Sequence, residues 1–347
     1  MASVRSIAKR AGCSVATVSR VLNNDPSVAR KMRETVLLVA NRIGYVHGRA
    51  RRAAQTIGFA YLGERTLSHP FDAAVLDGVA QGADEARHDI TILMLTRDRR
   101  PDESYTQLFT RKGIRGVILR TTAATRATCQ DIADEGFPHV VLSEQFEAPN
   151  VSYIDGDSRA QSLRAVEYLI SLGHERIAFA MHNVPDRDHM DRFEAYKAAL
   201  RGQDLPFDER LVFLHRASLS GGATIMTMSP RLANPPTAIF FADPISAIGA
   251  VKKSHELGIR IPEDVSIVGF DDTDMRFSVH PTLTAVCQDA AALGLEASRW
   301  LCRAMTHSKR EPLRKTVPTF LEVNASTGPP PRCEMLGGAV LRERGVG

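Results

Sequence analysis

The sequence predicts a small all-α headpiece of helix-turn-helix type, followed by an α/β body of two doubly wound, parallel-sheet subdomains. Three observations carry this expectation. Charge is split along the chain: residues 1–55 hold 11 Lys and Arg against 2 Asp and Glu, and the remainder holds 33 against 38, so the net charge of +4 hides a basic head on a mildly acidic body. Apolar residues in the head recur at helical spacing. From Thr56 onward, short apolar runs alternate with amphipathic stretches. A length of 347 residues with 44% hydrophobic content suits two or three globular units.

In "SIAKRAGCSVATVSRVLNN", Ile7, Ala8 and Ala11 share one face of a first helix, and Val18, Val21 and Leu22 share one face of a second. Gly12 supplies the turn, and Ser14 is a suitable N-cap because its hydroxyl can accept a backbone N–H of the next turn. Cys13 falls between the apolar faces as a small core residue. "VARKMRETVLLVANRIGY" reads as a third helix that closes the core through Val36, Leu37, Ala40 and Ile43. The outer face of the second helix presents Ala16, Arg20 and Asn23. A small residue, a guanidinium and an amide suit a DNA groove: Arg pairs bidentately with guanine, and small apolar groups meet thymine methyls. Ser14, Thr17 and Ser19 are placed to contact phosphates. The basic head is the electrostatic footprint of a nucleic-acid partner.

That stretch, with "RETVLLVANRIGY", resembles the N-terminus of the lactose-repressor (LacI/GalR) family of bacterial transcription regulators. The resemblance implies that Val15, Ala16 and Arg20 read bases while Thr17, Ser19 and Asn23 anchor the helix. Ala29 and Met32 stand where the family usually has Ser and Thr, which puts two phosphate contacts in doubt, with Arg30, Lys31 or Arg33 as substitutes. The linker "VHGRARRAAQ" is shorter than the family's hinge segment, and Ala54 occupies the position of the leucine that wedges into the minor groove. A methyl group is too small to offset unstacking, which costs a few kcal/mol. Arg49, Arg51 and Arg52 remain to follow the minor groove, either as a basic arm or as a weak hinge helix.

In the body, nine runs read as strands, from "TIGFAYL" to "VSIVGFDD", with helices such as "AAVLDGVAQGADEA" and "ISAIGAVKKSHELG" between them. Alternation of this kind implies parallel sheets covered on both faces, and nine strands suit two sheets better than one. No phosphate-cradling glycine motif, metal-binding histidine motif or cysteine cluster appears, so an enzyme, a cofactor and a metal are not expected. Five scattered cysteines suit a reducing cytoplasm. The N-terminus lacks the features of a signal peptide and no apolar run is long enough to span a membrane.

"VEYLISLGHERIAF", "FEAYKAAL" and "LGIRIPEDVSIVGFDDTD" extend the family resemblance to about residue 328. It implies a periplasmic-binding-protein-like core with an effector in the cleft between two subdomains. The expected organisation is a headpiece at 1–46, a basic linker at 47–55, a core at 56–328 and a disordered tail at 329–347. Within the core, one subdomain takes 56–156 plus 286–316 and the other 157–285 plus 317–328. Strand C-terminal ends bind ligands in such sheets, which places His69, Phe71, Asp72, Arg120, Arg192, Arg216, Asp243 and Asp271 at the cleft. Arg192 and Asp271 are the effector-gripping pair by family analogy. If Arg120, Arg192 and Arg216 all line the cleft, three cations face two carboxylates and a sugar acid or phosphosugar is favoured over a neutral sugar. The resemblance implies a cytoplasmic homodimer that binds pseudo-palindromic double-stranded operator DNA under control of a sugar-like effector, most often as a repressor.

Overall fold

The computed structural model describes residues 3–23, 25–43, 45, 56–63, 67–183, 186–306 and 311–331. The linker arginines Arg49, Arg51 and Arg52, together with Ala54 and the tail beyond Pro331, lie outside the described residues.

Three helices form the head: α1 (Val4–Ala11), α2 (Val15–Leu22) and α3 (Arg30–Arg42). Ser3 and Ser6 cap α1 reciprocally, and Gly12 ends it at φ 66°, a left-handed conformation that glycine adopts without strain. The Ser14 hydroxyl accepts the Thr17 N–H at 3.0 Å and so opens α2. Ile7, Ala8, Val18, Val21, Val36, Leu37 and Ala40 form the core, with Cys13 and Ile43 packed at its edge. Ala29 sits at the N-cap of α3 and supplies no side-chain hydrogen bond.

The body begins with β1 (Thr56–Tyr61), α4 (Pro70–Glu85), β2 (Asp89–Met94), the short α5 (Leu95–Asp98), α6 (Tyr105–Arg111), β3 (Ile114–Arg120), α7 (Arg126–Asp134), β4 (His139–Leu142) and β5 (Tyr153–Gly156). The chain then crosses to α8 (Ser158–Ser171), β6 (Ile177–His182), α9 (Arg187–Gly202), β7 (Val212–His215), α10 (Leu219–Met228), β8 (Ala238–Phe241), α11 (Pro244–Leu257), β9 (Ser266–Asp271) and β10 (Thr284–Cys287). It returns for α12 (Ala290–Thr306) and β11 (Arg314–Val317), and crosses a last time to β12 (Phe320–Glu322).

The first sheet has the order β11-β5-β4-β3-β1-β2 and the second β12-β10-β9-β8-β6-β7. All pairings are parallel except β10 with β12. Both sheets reverse direction beside their first strand, at β1/β3 and at β6/β8, and α/β folds bind ligands at the strand C-termini of such switch points. Apolar clusters cover both faces of each sheet, as parallel strands require.

Three short strands, β10 to β12, were beyond the nine read from sequence, as were helices α5, α6, α7 and α10. The crossovers also differ slightly from expectation. β10 runs to Cys287 in the second sheet and Val317 belongs to the first. The expected division of the core at 286 and 317 is corrected by one or two residues, because the pairing partner rather than the apolar pattern decides which sheet a short crossover strand joins.

The head rests on the first subdomain. Asn41 is buried, and its Nδ2 donates to Thr106 Oγ1 at 3.0 Å and to the Glu135 carbonyl at 2.7 Å. Gln107 Nε2 donates to the Val21 carbonyl at 3.2 Å and so ties the last turn of α2 to the start of α6.

Candidate functional site

Two regions carry candidate residues. On α2, Val15, Ala16, Arg20 and Asn23 are exposed while Thr17 and Ser19 are half-buried. Val15, the first residue of α2, is an apolar side chain left 47% exposed. Arg20 Nε lies 3.9 Å from Asp25 Oδ2, a loose pairing between groups that remain wet. Asn23 Nδ2 donates to Ser19 Oγ at 3.5 Å. Of the three cations named as substitutes on α3, Arg33 donates to the Asp25 carbonyl and Arg30 pairs with Glu34 at 2.9 Å, while Lys31 is exposed.

The second region is a cavity of about 360 Å³ between the subdomains, at the strand C-termini of both sheets. Tyr61, His69, Phe71, Arg120, Thr121 and Thr122 line it from the first subdomain; His182, Asp186, Asp188, His189, Arg192, Asp243 and Asp272 line it from the second. Gln288, on a crossover, lines it too.

Arg120 is fixed from behind. Its Nε donates to Asp72 Oδ1 at 2.8 Å, its guanidinium lies 4.8 Å from the centre of the Phe71 ring, and its Nη1 meets no partner among the described residues. Tyr61 donates to the other Asp72 oxygen at 3.3 Å. Asp72 is therefore a buried anchor for Arg120 and not a cavity-lining residue, which corrects its expected place.

Arg192 is equally constrained. It stacks on Phe270 with 3.4 Å between guanidinium and ring centre, and donates to the Ala242 carbonyl at 2.7 Å and to Ser158 Oγ at 3.2 Å. Asp188, one helical turn earlier, is 4.0 Å away.

His189 donates from Nδ1 to Asp186 Oδ1 at 2.6 Å and from Nε2 to Asp243 Oδ1 at 2.9 Å. Burial alone would lower its pKa, but the two carboxylates push it up to about 10, so the ring is an imidazolium at neutral pH. Burial would likewise raise Asp243, yet His189 holds it down to about 2. Asp243 Oδ2 has no partner among the described residues, and Asp243 is 2% exposed. The wall thus offers the cavity an open acceptor at Asp243 and an open donor at Arg120, from opposite subdomains.

Two expected residues lie elsewhere. Asp271 is buried within its own subdomain, where it accepts Arg276 Nη1 at 2.7 Å and the N–H groups of Met275 and Arg276 at 3.0 and 3.2 Å. Successive side chains at a strand end point to opposite sides, so Asp272 faces the cavity instead, accepting from Gln288 Nε2 at 2.5 Å. Arg216 follows the edge strand β7, is exposed, and is not among the lining residues. The expected excess of cations does not hold. Arg120, Arg192 and the His189 imidazolium meet four lining carboxyl groups, at Asp186, Asp188, Asp243 and Asp272. An anion-preferring pocket loses its argument.

Sequence reasoning missed Asp186, Asp188, His189 and Asp272. One signal was available: in "DRDHMDR", Asp188 stands four residues before Arg192, on the same helix face.

Residues 3–47 match the family model "Bacterial regulatory proteins, lacI family", and residues 166–327 match "Periplasmic binding protein-like domain". The chain is 30% identical to the HTH-type transcriptional regulator MalR of Streptomyces coelicolor, over 85% of this chain and 88% of that one. It is 28% identical to the HTH-type transcriptional regulator DegA of Bacillus subtilis, over 94% of this chain and 98% of that one. Among solved structures, a LacI family regulator from Enterococcus faecium with bound ribose is similar at a TM-score of 0.67 and 27% identity, covering 79% of this chain and 99% of that one. These relatives are transcriptional regulators and not enzymes. No helix among the described residues is long and apolar enough to cross a membrane.

Proposed function

The chain belongs to the LacI family of bacterial transcriptional regulators, and we propose that it is a homodimeric repressor of carbohydrate-related genes whose grip on operator DNA responds to an uncharged sugar in the interdomain cavity. One observation carries the effector reading: Arg120 Nη1 and Asp243 Oδ2, buried polar atoms without partners among the described residues, belong to residues that line one cavity from opposite subdomains. Unpaired polar groups in such a place are costly unless a ligand pairs them. A sugar supplies both donors and acceptors, and Phe71 offers an apolar face for its ring. The balance of cations and carboxyl groups favours a neutral sugar over a sugar acid, and the ribose held by the Enterococcus faecium relative agrees with that class.

On DNA, α2 enters the major groove. Arg20 pairs with a guanine edge, Val15 and Ala16 meet thymine methyls, and Ser14, Thr17, Ser19 and Asn23 fix register on the backbone. Paired headpieces match the twofold symmetry of a pseudo-palindromic site. Arg49, Arg51 and Arg52 follow the minor groove, and with alanine at position 54 the duplex is kinked less than a leucine wedge would kink it. Because effector contacts come from both subdomains, filling the cavity changes their relative angle, and the difference in effector affinity between the two arrangements is the coupling to DNA.

The test is selection of bound duplexes from a random library with the purified protein at fixed salt, followed by a screen of neutral sugars, sugar acids and sugar phosphates for altered operator affinity. A palindromic consensus and a response to a neutral sugar are expected. Absence of any consensus, with or without sugars, overturns the regulator reading; a response confined to acids or phosphates overturns the neutral-sugar reading.

A further inference from the structure

The two subdomains touch across the cavity through a pair of acids. Asp155 is the last residue but one of β5 in the first sheet, just before the chain crosses over; Asp188 sits in the first turn of α9 in the second subdomain. They are 1% and 4% exposed, and their carboxyl groups stand within hydrogen-bonding reach of each other. Neither Oδ1 meets an N–H or O–H among the described residues. Two buried carboxylates without donors between them would repel strongly, whereas one proton converts the contact into a charge-assisted hydrogen bond.

The surroundings hold this pair in place without neutralising it. Gln145 Nε2 donates to the second Asp155 oxygen at 2.9 Å and to Thr316 Oγ1 on β11 at 3.2 Å, and its Oε1 accepts from Arg187 on α9 at 3.4 Å. Arg187 and Asp191 on α9 face Asp155 with opposite charge. Asp188 is faced by Asp186 ahead of α9, by Arg192 one turn along it and, from β3, by Arg120. Arg187 already pairs with Asp191 at 3.2 Å and Arg120 with Asp72 at 2.8 Å. Arg192 stays 4.0 Å from Asp188. Against two carboxylates, this loose buried ion pair supplies one positive charge, so one proton is still needed for balance.

We propose that the cleft has a second ligand, a proton bound between Asp155 and Asp188, and that this proton latches the two subdomains together. Asp188 then faces the cavity as a neutral acid and the remaining lining charges, Asp186, Asp243 and Asp272 against Arg120, Arg192 and His189, balance. The proposal deepens the effector reading by making the cleft's closure depend on pH. Burial pushes both carboxyl groups above the usual carboxylate range, Asp188 furthest because Asp155 and Asp186 stand beside it. The sign follows: the proton is held at acidic pH and lost as pH rises through the raised value, at which point two carboxylates face each other and the subdomains separate.

The test needs no effector, so its failure is distinct from failure of the sugar reading. Carboxyl 13C NMR of the full-length protein labelled at aspartate should show a protonated side chain that persists above the usual titration range and disappears in Asp155→Asn and in Asp188→Asn. Amide exchange of peptides spanning 153–160 and 186–193 is then compared between wild type and Asp188→Asn at each pH. An asparagine at 188 can donate to Asp155 at any pH, so the variant keeps the latch. The wild-type to variant rate ratio should be near one at mildly acidic pH and rise severalfold at mildly alkaline pH. A wild type whose aspartates all titrate normally, or a ratio that does not change with pH, overturns the proposal.

Discussion

At the scale of single residues, His189 is the most consequential side chain in the cavity wall that sequence reasoning passed over. It bridges two buried carboxylates at 2.6 and 2.9 Å and directs the free oxygen of Asp243 to the cavity. Replacing His189 with alanine strands both acids, and removal of one member of a buried charge network costs about 3–5 kcal/mol. Urea denaturation should register a loss of this order near neutral pH. A raised histidine pKa means that the folded state binds the proton more tightly than the unfolded chain. The stabilisation is therefore complete below the ordinary value of 6.5 and lost as pH climbs through about 10. The gap between wild type and His189→Ala should accordingly narrow at strongly alkaline pH. Ala29 is a second residue with a clear expectation. It stands at an uncapped N-terminus where α3 has no acidic residue in its first turn. Ala29→Ser supplies the missing acceptor and should stabilise the headpiece by about 1 kcal/mol, read from its thermal unfolding. Ala29 was legible in the sequence as a departure from pattern, because capping is local. His189 was not, because its partners at 186 and 243 meet it only after the second sheet has formed.

At the scale of elements, both subdomains use the same device to pack helices closely. In the first, α4 lies against α12, where a Cβ on Gly78 would come 1.9 Å from the Ala291 carbonyl oxygen and one on Gly294 would come 2.0 Å from that of Val75. In the second, Gly222 on α10 and Gly249 on α11 approach the Ser246 and Leu219 carbonyls at 1.8 and 2.1 Å in the same way. Gly78→Ala or Gly294→Ala forces the helix backbones apart, and overpacking of this kind costs about 1–3 kcal/mol. Gly202 is the internal control, since it ends α9 with nothing within 4 Å of its Cβ position. Gly202→Ala should leave stability unchanged or raise it by a few tenths of a kcal/mol to about 1 kcal/mol. Helices α4, α11 and α12 were legible from apolar spacing, as were strands β1 to β9. The spacing does not reveal which helices pair, since a glycine inside an amphipathic pattern reads only as a mild helix weakener. Strands β11 and β12 offer no apolar run, because "RKTV" and "FLE" are sheet edges that stay partly exposed, and β10 is the single run "TAVC" that only its pairing with β9 marks as a strand. The exchange of Asp271 for Asp272 has the same origin: two adjacent acids at a strand end are equivalent in sequence, and only the sheet decides which one faces the cavity.

At the scale of the whole molecule, the first subdomain holds the headpiece at one end of its sheet and the effector cavity at the other. Glu135 ties this end together: its carboxylate accepts the N–H groups of Tyr105 and Thr106 at the start of α6 at 3.0 and 2.6 Å, while its carbonyl accepts from Asn41 of the headpiece. Between α6 and α7 runs β3, which starts at Ile114 and ends at Arg120 on the cavity wall. A displacement of Arg120 by an effector therefore has a rigid route to the surface on which the headpiece rests. The docking bonds of Asn41 and Gln107 leave the outer face of α2 exposed, so docking and DNA reading are separable. The double variant Asn41→Ala with Gln107→Ala removes three hydrogen bonds to the headpiece, each worth about 0.5–1.5 kcal/mol. In calorimetry the headpiece should then unfold below the core in a resolved transition. Affinity for the selected operator in the absence of sugar should stay near that of wild type, because no group that faces DNA has changed. The ratio of operator affinities with and without an active sugar should fall toward one. If that ratio is unchanged while the headpiece melts separately, the effector signal reaches DNA through the linker alone and the docked surface is only a resting place.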